Sequence, residues 1–341
     1  MPAACLQGQA RSGPAPRNAA PTGTLTHLLR IFVATGLTAL MIWLADPRAV
    51  GVALAGIDWR YATAAILLVF IDRGLMAVRW IALLAPLAPG TRPRAGALMR
   101  IFFISTFVGS FLPGSVGGDA VRTWSLAREG ITTHESLASV LMDRLLGVVA
   151  LLIMAIAGLM VAPSLADDGL IVAAMIGTLA ACAAGLAVVF SERSAAIGLR
   201  RLERMPDGRV RRGIARLVDA LQAYRRHHRV AGAVLVASVA VQVLRILQAW
   251  LLGLSVGITA GPAAYFAFVP LILLIMLLPI TVNGIGTSQA AFVFFFAQAG
   301  VADAPAFALS VLFLALGYVG NLPGAALYMF SPKPFGTISR S

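Results

Sequence analysis

The chain has 341 residues, of which 59% are hydrophobic and 12% charged, with a formal net charge of +13. So little charge cannot cover a soluble domain of this length. Several apolar runs approach the ~20 residues a helix needs to cross the hydrocarbon core, so the expected class is an all-α polytopic membrane protein rather than a barrel of short alternating strands.

Residues 1–26 are rich in Ala, Pro and Gly and read as a disordered cytoplasmic tail. A membrane domain over 27–331 follows. Its first helix, about 28–45, starts too late for a cleaved signal peptide and reads as retained. The second, about 61–85, carries Asp72, Arg73 and Arg79. A short apolar run, 97–112, ends at Pro113 and leads into a polar helix at about 119–129. Further helices are expected at 136–162, 169–190 and 230–255. A second short run, 264–280, ends near Pro279 and passes through "ITVNGIG" into 288–300. The last span is about 305–330, and 332–341 forms a second cytoplasmic tail.

Positive charge gathers between apolar runs, which is the positive-inside pattern and not a nucleic-acid surface. Arg92, Arg94 and Arg100 precede the first short run, and Arg122 and Arg128 follow it, so both of its ends read as cytoplasmic. Segment 191–229 holds eleven arginines against four acids and reads as a basic cytoplasmic segment along the membrane surface. The linker at 256–263 is uncharged and Asp303 follows the second short run, so both ends of that run read as external. These assignments agree only if both short runs are re-entrant. The expectation is therefore about six full spans plus two broken re-entrant helices, with cytoplasmic N- and C-termini. "LPGSVGG" at 112–118 and "LPITVNG" at 278–284 parallel each other, which fits an inverted repeat of the kind transporters use. The structural breaks are Pro113, Gly114, Gly117 and Gly118 in the first half and Pro279, Gly284 and Gly286 in the second. Proline removes a backbone donor and glycine opens conformations other residues avoid.

Irregular backbone at membrane depth must line a cavity or be packed in protein. The candidate substrate-binding residues lie beside it. Asp119 is placed to cap the following helix, or to pair with Arg122 or Arg144 and orient that arginine. Ser139, Asp143 and Gly147 share one helix face. Arg245 lies well inside an apolar helix, where a charge costs at least ~2.5 kcal/mol, and Ser238, Gln242 and Gln248 fall on its side. Asp72, Met76 and Arg79 form a matching face on the second helix. Asp72 can instead serve only to neutralise Arg245 or Arg73. Asn283 and Asn321 can offer amides at the same depth or join helices. Guanidinium binds phosphate through paired hydrogen bonds and keeps its charge when desolvated, so membrane lipids with an anionic headgroup are the expected partners. Two cysteines and four scattered histidines suggest neither disulfide nor metal site, and no cofactor is expected.

"FLPGSVGGDAVRTWSLAREG", "ASVLMDRLLGVVALL", "LLPITVNGIGTSQAAFVF" and "GNLPGAALY", in that order, resemble the transmembrane region of the lysylphosphatidylglycerol synthase family, also described as flippase-like integral membrane proteins. The resemblance runs from about 30 to 330. It implies a multi-pass protein of the bacterial cytoplasmic (inner) membrane that moves a phospholipid or lipid-linked intermediate between leaflets. Nothing here resembles the soluble aminoacyl-transferase domain of the synthases, so a transporter is expected and not an enzyme. The alternatives are a non-transporting membrane partner of a lipid-synthesis enzyme and a lipid-modifying transferase. One departure stands out: Ser288 and Gln289 occupy the place of an Arg–Glu pair usual in the family, so any role of that pair's charges is absent or altered.

Overall fold

A computed structural model describes residues 47–87, 93–111, 116–161, 169–202, 208–277 and 284–330. The expected span at 28–45, both tails, and Pro113, Gly114, Pro279 and Asn283 lie outside the described residues. The described elements are all helical: α1 (Pro47–Ala55), α2 (Trp59–Leu84), α3 (Ala95–Gly109), α4 (Val116–Arg128), α5 (Thr133–Val161), α6 (Gly169–Phe190), α7 (Glu192–Leu202), α8 (Arg209–Gln222), a 3-10 turn (Ala223–His227), α9 (His228–Ser255), α10 (Pro262–Met276), α11 (Thr287–Ala297), α12 (Asp303–Val319) and α13 (Leu322–Met329). The sequence marks several of their starts. Asp58 caps α2 by accepting a hydrogen bond from the Arg60 amide at 2.9 Å. Thr132 and Glu135 cap α5 reciprocally, with Thr132 N donating to Glu135 Oε2 at 3.0 Å and Glu135 N to Thr132 Oγ1 at 3.3 Å. Pro262 opens α10, where a missing amide hydrogen costs nothing.

Three described stretches are long and apolar enough to cross a membrane: Thr133–Val161, Val210–Ser255 and Asp303–Met329. The protein is therefore an all-α membrane protein. Its apolar side chains also face outward, as Leu67, Ile153, Ile156 and Met160 do, while arginines and aspartates are buried. That inversion is what a hydrocarbon solvent selects.

The two short apolar helices, α3 and α10, have 15 residues each. At 1.5 Å per residue they rise about 22 Å, less than the ~30 Å of a hydrocarbon core. Their neighbours repeat between the halves. α3 packs on α4 and on α13, and α10 packs on α11 and on α5, while α2 and α9 form the most extensive helix pair at the centre. Arg79 meets Ser238 and Asp72 meets Arg245, so α2 and α9 run antiparallel.

Three expectations change. Gly117, Gly118 and Asp119 are not the break itself, because α4 begins at Val116 and takes all three into its first turn. Gly118 serves close packing instead: a Cβ there would lie 2.9 Å from Ser105 O and 3.3 Å from Gly109 Cα. Asp119 is consequently one turn inside the helix and is not its cap. The last span is divided at Gly320–Asn321, ahead of Pro323, which lacks a backbone donor and disfavours helical geometry in the residue before it. In the second half, Gly284 (φ 76°) and Gly286 (φ 87°) do form the turn before α11, in the left-handed region that glycine tolerates.

The described residues of the basic segment 191–229 fold into α7, α8, the 3-10 turn and the start of α9. Its apolar side joins a local core in which Leu217, Leu221 and Tyr224 pack with Leu83, Met142, Leu146 and Val234. Tyr224 Oη donates to the Leu83 carbonyl at 2.7 Å, tying the segment to the end of α2. Arg212, Arg216 and Asp219 stay exposed.

Candidate functional site

The C-terminal ends of α3 and α10 reach one cavity of about 440 Å3, reached also by α2, α4, α5, α9 and α12. Its walls are split by chemistry. Leu151, Leu273, Met276, Leu277 and Leu314 make one apolar part, and arginines, acids and hydroxyls make the rest.

Three ion-paired groups organise the polar part. In the first, Asp72, 1% exposed, lies between two guanidiniums: Arg73 Nη1 is 3.4 Å from its Oδ2 and Arg245 Nε 3.6 Å from its Oδ1. Met76 sits over them, its Sδ 3.3 Å from Arg73 Nη1 and 3.4 Å from Arg245 Nη2. Arg73 Nη2 also donates to the Gly317 carbonyl at 3.4 Å, which ties α2 to α12. In the second group, Arg79 Nη2 is 2.8 Å from Asp143 Oδ1, and its Nη1 donates to Ser238 Oγ at 2.9 Å. Gly147, one turn beyond Asp143, faces this guanidinium: a Cβ there would stand in ordinary contact, 3.9 Å from Arg79 Nη1. In the third, Arg144 places Nε at 3.1 Å and Nη2 at 2.8 Å from Asp119 Oδ2.

Arg122 is different. Its Nε donates to Ser105 Oγ at 3.3 Å, and its guanidinium lies 4.8 Å from the ring centroids of both Trp80 and Phe102. It makes no ion pair with a described residue. Aromatic faces attract a desolvated cation without neutralising it. Among the described residues, five guanidiniums therefore meet three carboxylates around the cavity, an excess of two positive charges.

Of the residues expected at a site, Arg245, Gln242, Arg79, Asp119, Arg122, Asp143 and Arg144 all line this cavity, and Asn283 lies outside the described residues. Of Asp119's two expected partners, the structure selects Arg144. Asp72 pairs with both Arg73 and Arg245, so a single carboxylate serves two guanidiniums and one positive charge is left over. Asn321 lines the cavity and also joins helices, donating Nδ2 to Ser110 Oγ at 2.7 Å. Ser139 turns away to the Ser136 carbonyl, and Gln248 is buried outside the cavity. Arg73, Ser105, Thr106, Ser110 and Tyr318 complete the lining and were not among the expected binding residues.

Gln289 is buried and accepts from the Gly286 amide at 2.6 Å and from Ser288 Oγ at 3.1 Å. The pair that departs from the family pattern thus closes the N-terminus of α11 without a charge and does not line the cavity.

A family profile described as Lysylphosphatidylglycerol synthase TM region matches residues 28–324. The chain belongs to the lysylphosphatidylglycerol synthase TM region family. A search of curated proteins finds no match. The family match spans every helix that lines the cavity, so the arginine cluster belongs to the family domain and not to an addition to it. Membership in the lysylphosphatidylglycerol synthase TM region family places the chain among membrane proteins of lipid modification and translocation.

Proposed function

We propose that the protein is a transporter that moves a lipid with an anionic headgroup, a phospholipid or lipid-linked intermediate, across the cytoplasmic membrane. The observation that carries this reading is the excess of two guanidiniums over carboxylates in a cavity with one apolar wall. Guanidinium offers a fork of donors that matches phosphate oxygens and does not lose its proton. The wall of Leu151, Leu273, Met276 and Leu277 suits the glycerol and first methylenes of a lipid. A volume of about 440 Å3 is in the range of small-molecule sites and admits a headgroup but not whole acyl chains, which would remain in the bilayer.

A transporter fits the carboxylates better than a transferase does. Asp72, Asp119 and Asp143 each lie against a guanidinium, which leaves none of them as an uncommitted base. In this reading N- and C-termini face the cytoplasm, and the two short helices enter the bilayer from opposite sides and meet at the headgroup.

The test is reconstitution into liposomes with fluorescent phosphatidylglycerol or phosphatidylcholine in both leaflets, followed by chemical quenching of the outer leaflet. Protein-dependent quenching of the inner pool should be fast for phosphatidylglycerol and slow for phosphatidylcholine. Equal rates for the two, or none above protein-free vesicles, would refute an anion-selective transporter.

A further inference from the structure

α8 carries more apolar surface than the bundle covers. At ~100° per residue its apolar arc runs from Ala220 through Leu217 and Leu221 to Ile214 and Val218, about 160° wide. Ala220, Leu217 and Leu221 pack into the local core with Leu83, Met142 and Val234. The rest of the arc has no such cover. Val210, two turns before Leu217 on the same side, is 67% exposed, and Ile214, toward the other edge, is 39% exposed. Arg212, Arg216 and Asp219 are exposed on the opposite side of the helix. On α7, Ile197 is exposed between Arg193 and Arg200, which are exposed as well.

α8 is held at the level of the bilayer surface. It leads through the five residues of the 3-10 turn into α9, and the stretch Val210–Ser255 is one of the three that can cross a membrane. α9 has 28 residues and rises about 42 Å, more than the ~30 Å of hydrocarbon, so its ends reach headgroup level. Tyr224 Oη donates to the Leu83 carbonyl and Gln222 Nε2 to the Val188 carbonyl, which fasten the segment to the ends of α2 and α6. An apolar strip fixed beside the ends of membrane helices has lipid next to it. The charge agrees: Arg193, Arg200, Arg212, Arg216, Arg226 and Arg229 are exposed, against Asp219 and a Glu192 already paired with Arg225.

We propose that α7 and α8 form a docking surface for the anionic leaflet of the chain's own membrane. Val210, Ile214 and Ile197 sit in the headgroup layer, and the arginines around them meet lipid phosphates. Apolar residues among arginines are the pattern of a helix that lies in the membrane plane. The long arginine stem lets a guanidinium reach phosphate while its backbone stays clear of it, and an anionic surface attracts such residues within about one Debye length. This surface is separate from the cavity, which α7 and α8 do not line. It adjoins the cavity through two contacts. Leu83 stands one turn beyond Arg79 and Met142 stands next to Asp143, and both pack against the segment. Seating on the leaflet therefore steadies the turns that carry that ion pair. The docking requires only that the chain spans a membrane, whatever the cavity carries.

The test is amide hydrogen exchange on the full chain in lipid nanodiscs of phosphatidylcholine alone, or of equal parts phosphatidylcholine and phosphatidylglycerol. Exchange over 209–222 should be slower in the mixed discs by roughly fivefold or more, and high salt should remove the difference. A variant with Arg193→Gln, Arg200→Gln, Arg212→Gln and Arg216→Gln should exchange equally in both discs. Arg245→Ala, which changes the cavity and not this segment, should keep the slowing. Nitroxide labels at Val210→Cys, Ile214→Cys and Arg216→Cys, each with Cys5→Ser and Cys182→Ala, give the depth. Labels at 210 and 214 should meet oxygen dissolved in lipid more than a water-soluble nickel complex, and the label at 216 the reverse.

Equal exchange of the wild type in both discs would overturn the anionic preference, and so would slowing that persists in the glutamine variant. Loss of the slowing in Arg245→Ala would trace it to lipid in the cavity and overturn a separate surface. Labels at 210 and 214 that meet the nickel complex as freely as the label at 216 would put the strip in water, as a face for a soluble partner, and overturn lipid docking.

Discussion

Arg79 Nη2 sits 2.8 Å from Asp143 Oδ1, and this ion pair joins α2 to α5 inside the fold. The next residue on α5, Arg144, turns the opposite way in charge and reaches Asp119 on α4. Two adjacent residues, ~100° apart around one helix, thus tie α5 to both neighbours in the first half. Such pairs are costly to split, because the survivor is a lone charge in an apolar surround.

Asp143→Ala should therefore destabilise the protein by about 3–5 kcal/mol, since it leaves Arg79 with Ser238 alone. Replacing both partners, Arg79→Met with Asp143→Leu, should recover most of that loss while transport stays abolished. Thermal unfolding in detergent reads the first quantity and the liposome assay the second. An Asp143→Ala protein as stable as wild type would remove the pair from the account of the fold.

Gly324 on α13 meets α3 without a side chain. A Cβ there would fall 2.1 Å from Phe103 O and 2.7 Å from Phe107 Cβ. Gly324→Ala should force the helices apart at a cost of about 1–3 kcal/mol, seen as a lower unfolding temperature. Gly317→Ala is the control, for nothing lies within 4 Å of a Cβ at that position. Equal behaviour of the two variants would contradict the close approach.

At the start of α11 the Gln289 amide oxygen closes the Gly286 amide. Gln289→Leu should cost about 1 kcal/mol, as loss of a helix cap does, and Gln289→Glu should cost less because it keeps the acceptor and favours the helix N-terminus. Neither should change lipid selectivity, as this residue stands outside the cavity. A shift in selectivity between phosphatidylglycerol and phosphatidylcholine would show that the position acts on substrate.

The residues that carry charge into apolar runs were legible in the sequence. Arg79, Asp143 and Arg245 announce themselves because hydrocarbon does not hold an unpaired charge. The two short runs were legible from length. Pairing was not, since Asp119 has an arginine at 122 and another at 144, and only the approach of α4 to α5 selects Arg144. Gly117 and Gly118 read as a break because glycine weakens helices, but both lie within α4, where Gly118 uses its lack of a side chain to pack tightly against α3. The hydroxyls of α3 escaped because Ser105 and Thr106 also satisfy themselves on the Phe102 carbonyl, at 2.9 and 2.8 Å, as any hydroxyl in a membrane helix can. Only the fold brings Arg122 onto Ser105.

A headgroup that crosses as a net anion couples to membrane potential by ~2.3 kcal/mol per charge per 100 mV. An imposed potential in liposomes should bias phosphatidylglycerol towards the positive side. Each described carboxylate at the cavity is paired with a guanidinium, so transport should persist without a pH gradient. Strict dependence on a pH gradient, lost in Asp119→Asn or Asp143→Asn, would replace this account with proton-coupled transport.

Lipid movement in this reading depends most directly on Arg245. The measurement is leaflet exchange of fluorescent phosphatidylglycerol in liposomes containing equal amounts of wild type, Arg245→Lys or Arg245→Ala. Exchange should be full in the wild type, partial in the lysine variant, whose ammonium lacks the planar fork, and absent in the alanine variant, which should still insert because it has lost a charge from an apolar helix. Wild-type exchange by a properly inserted Arg245→Ala protein would make this arginine structural and contradict the account.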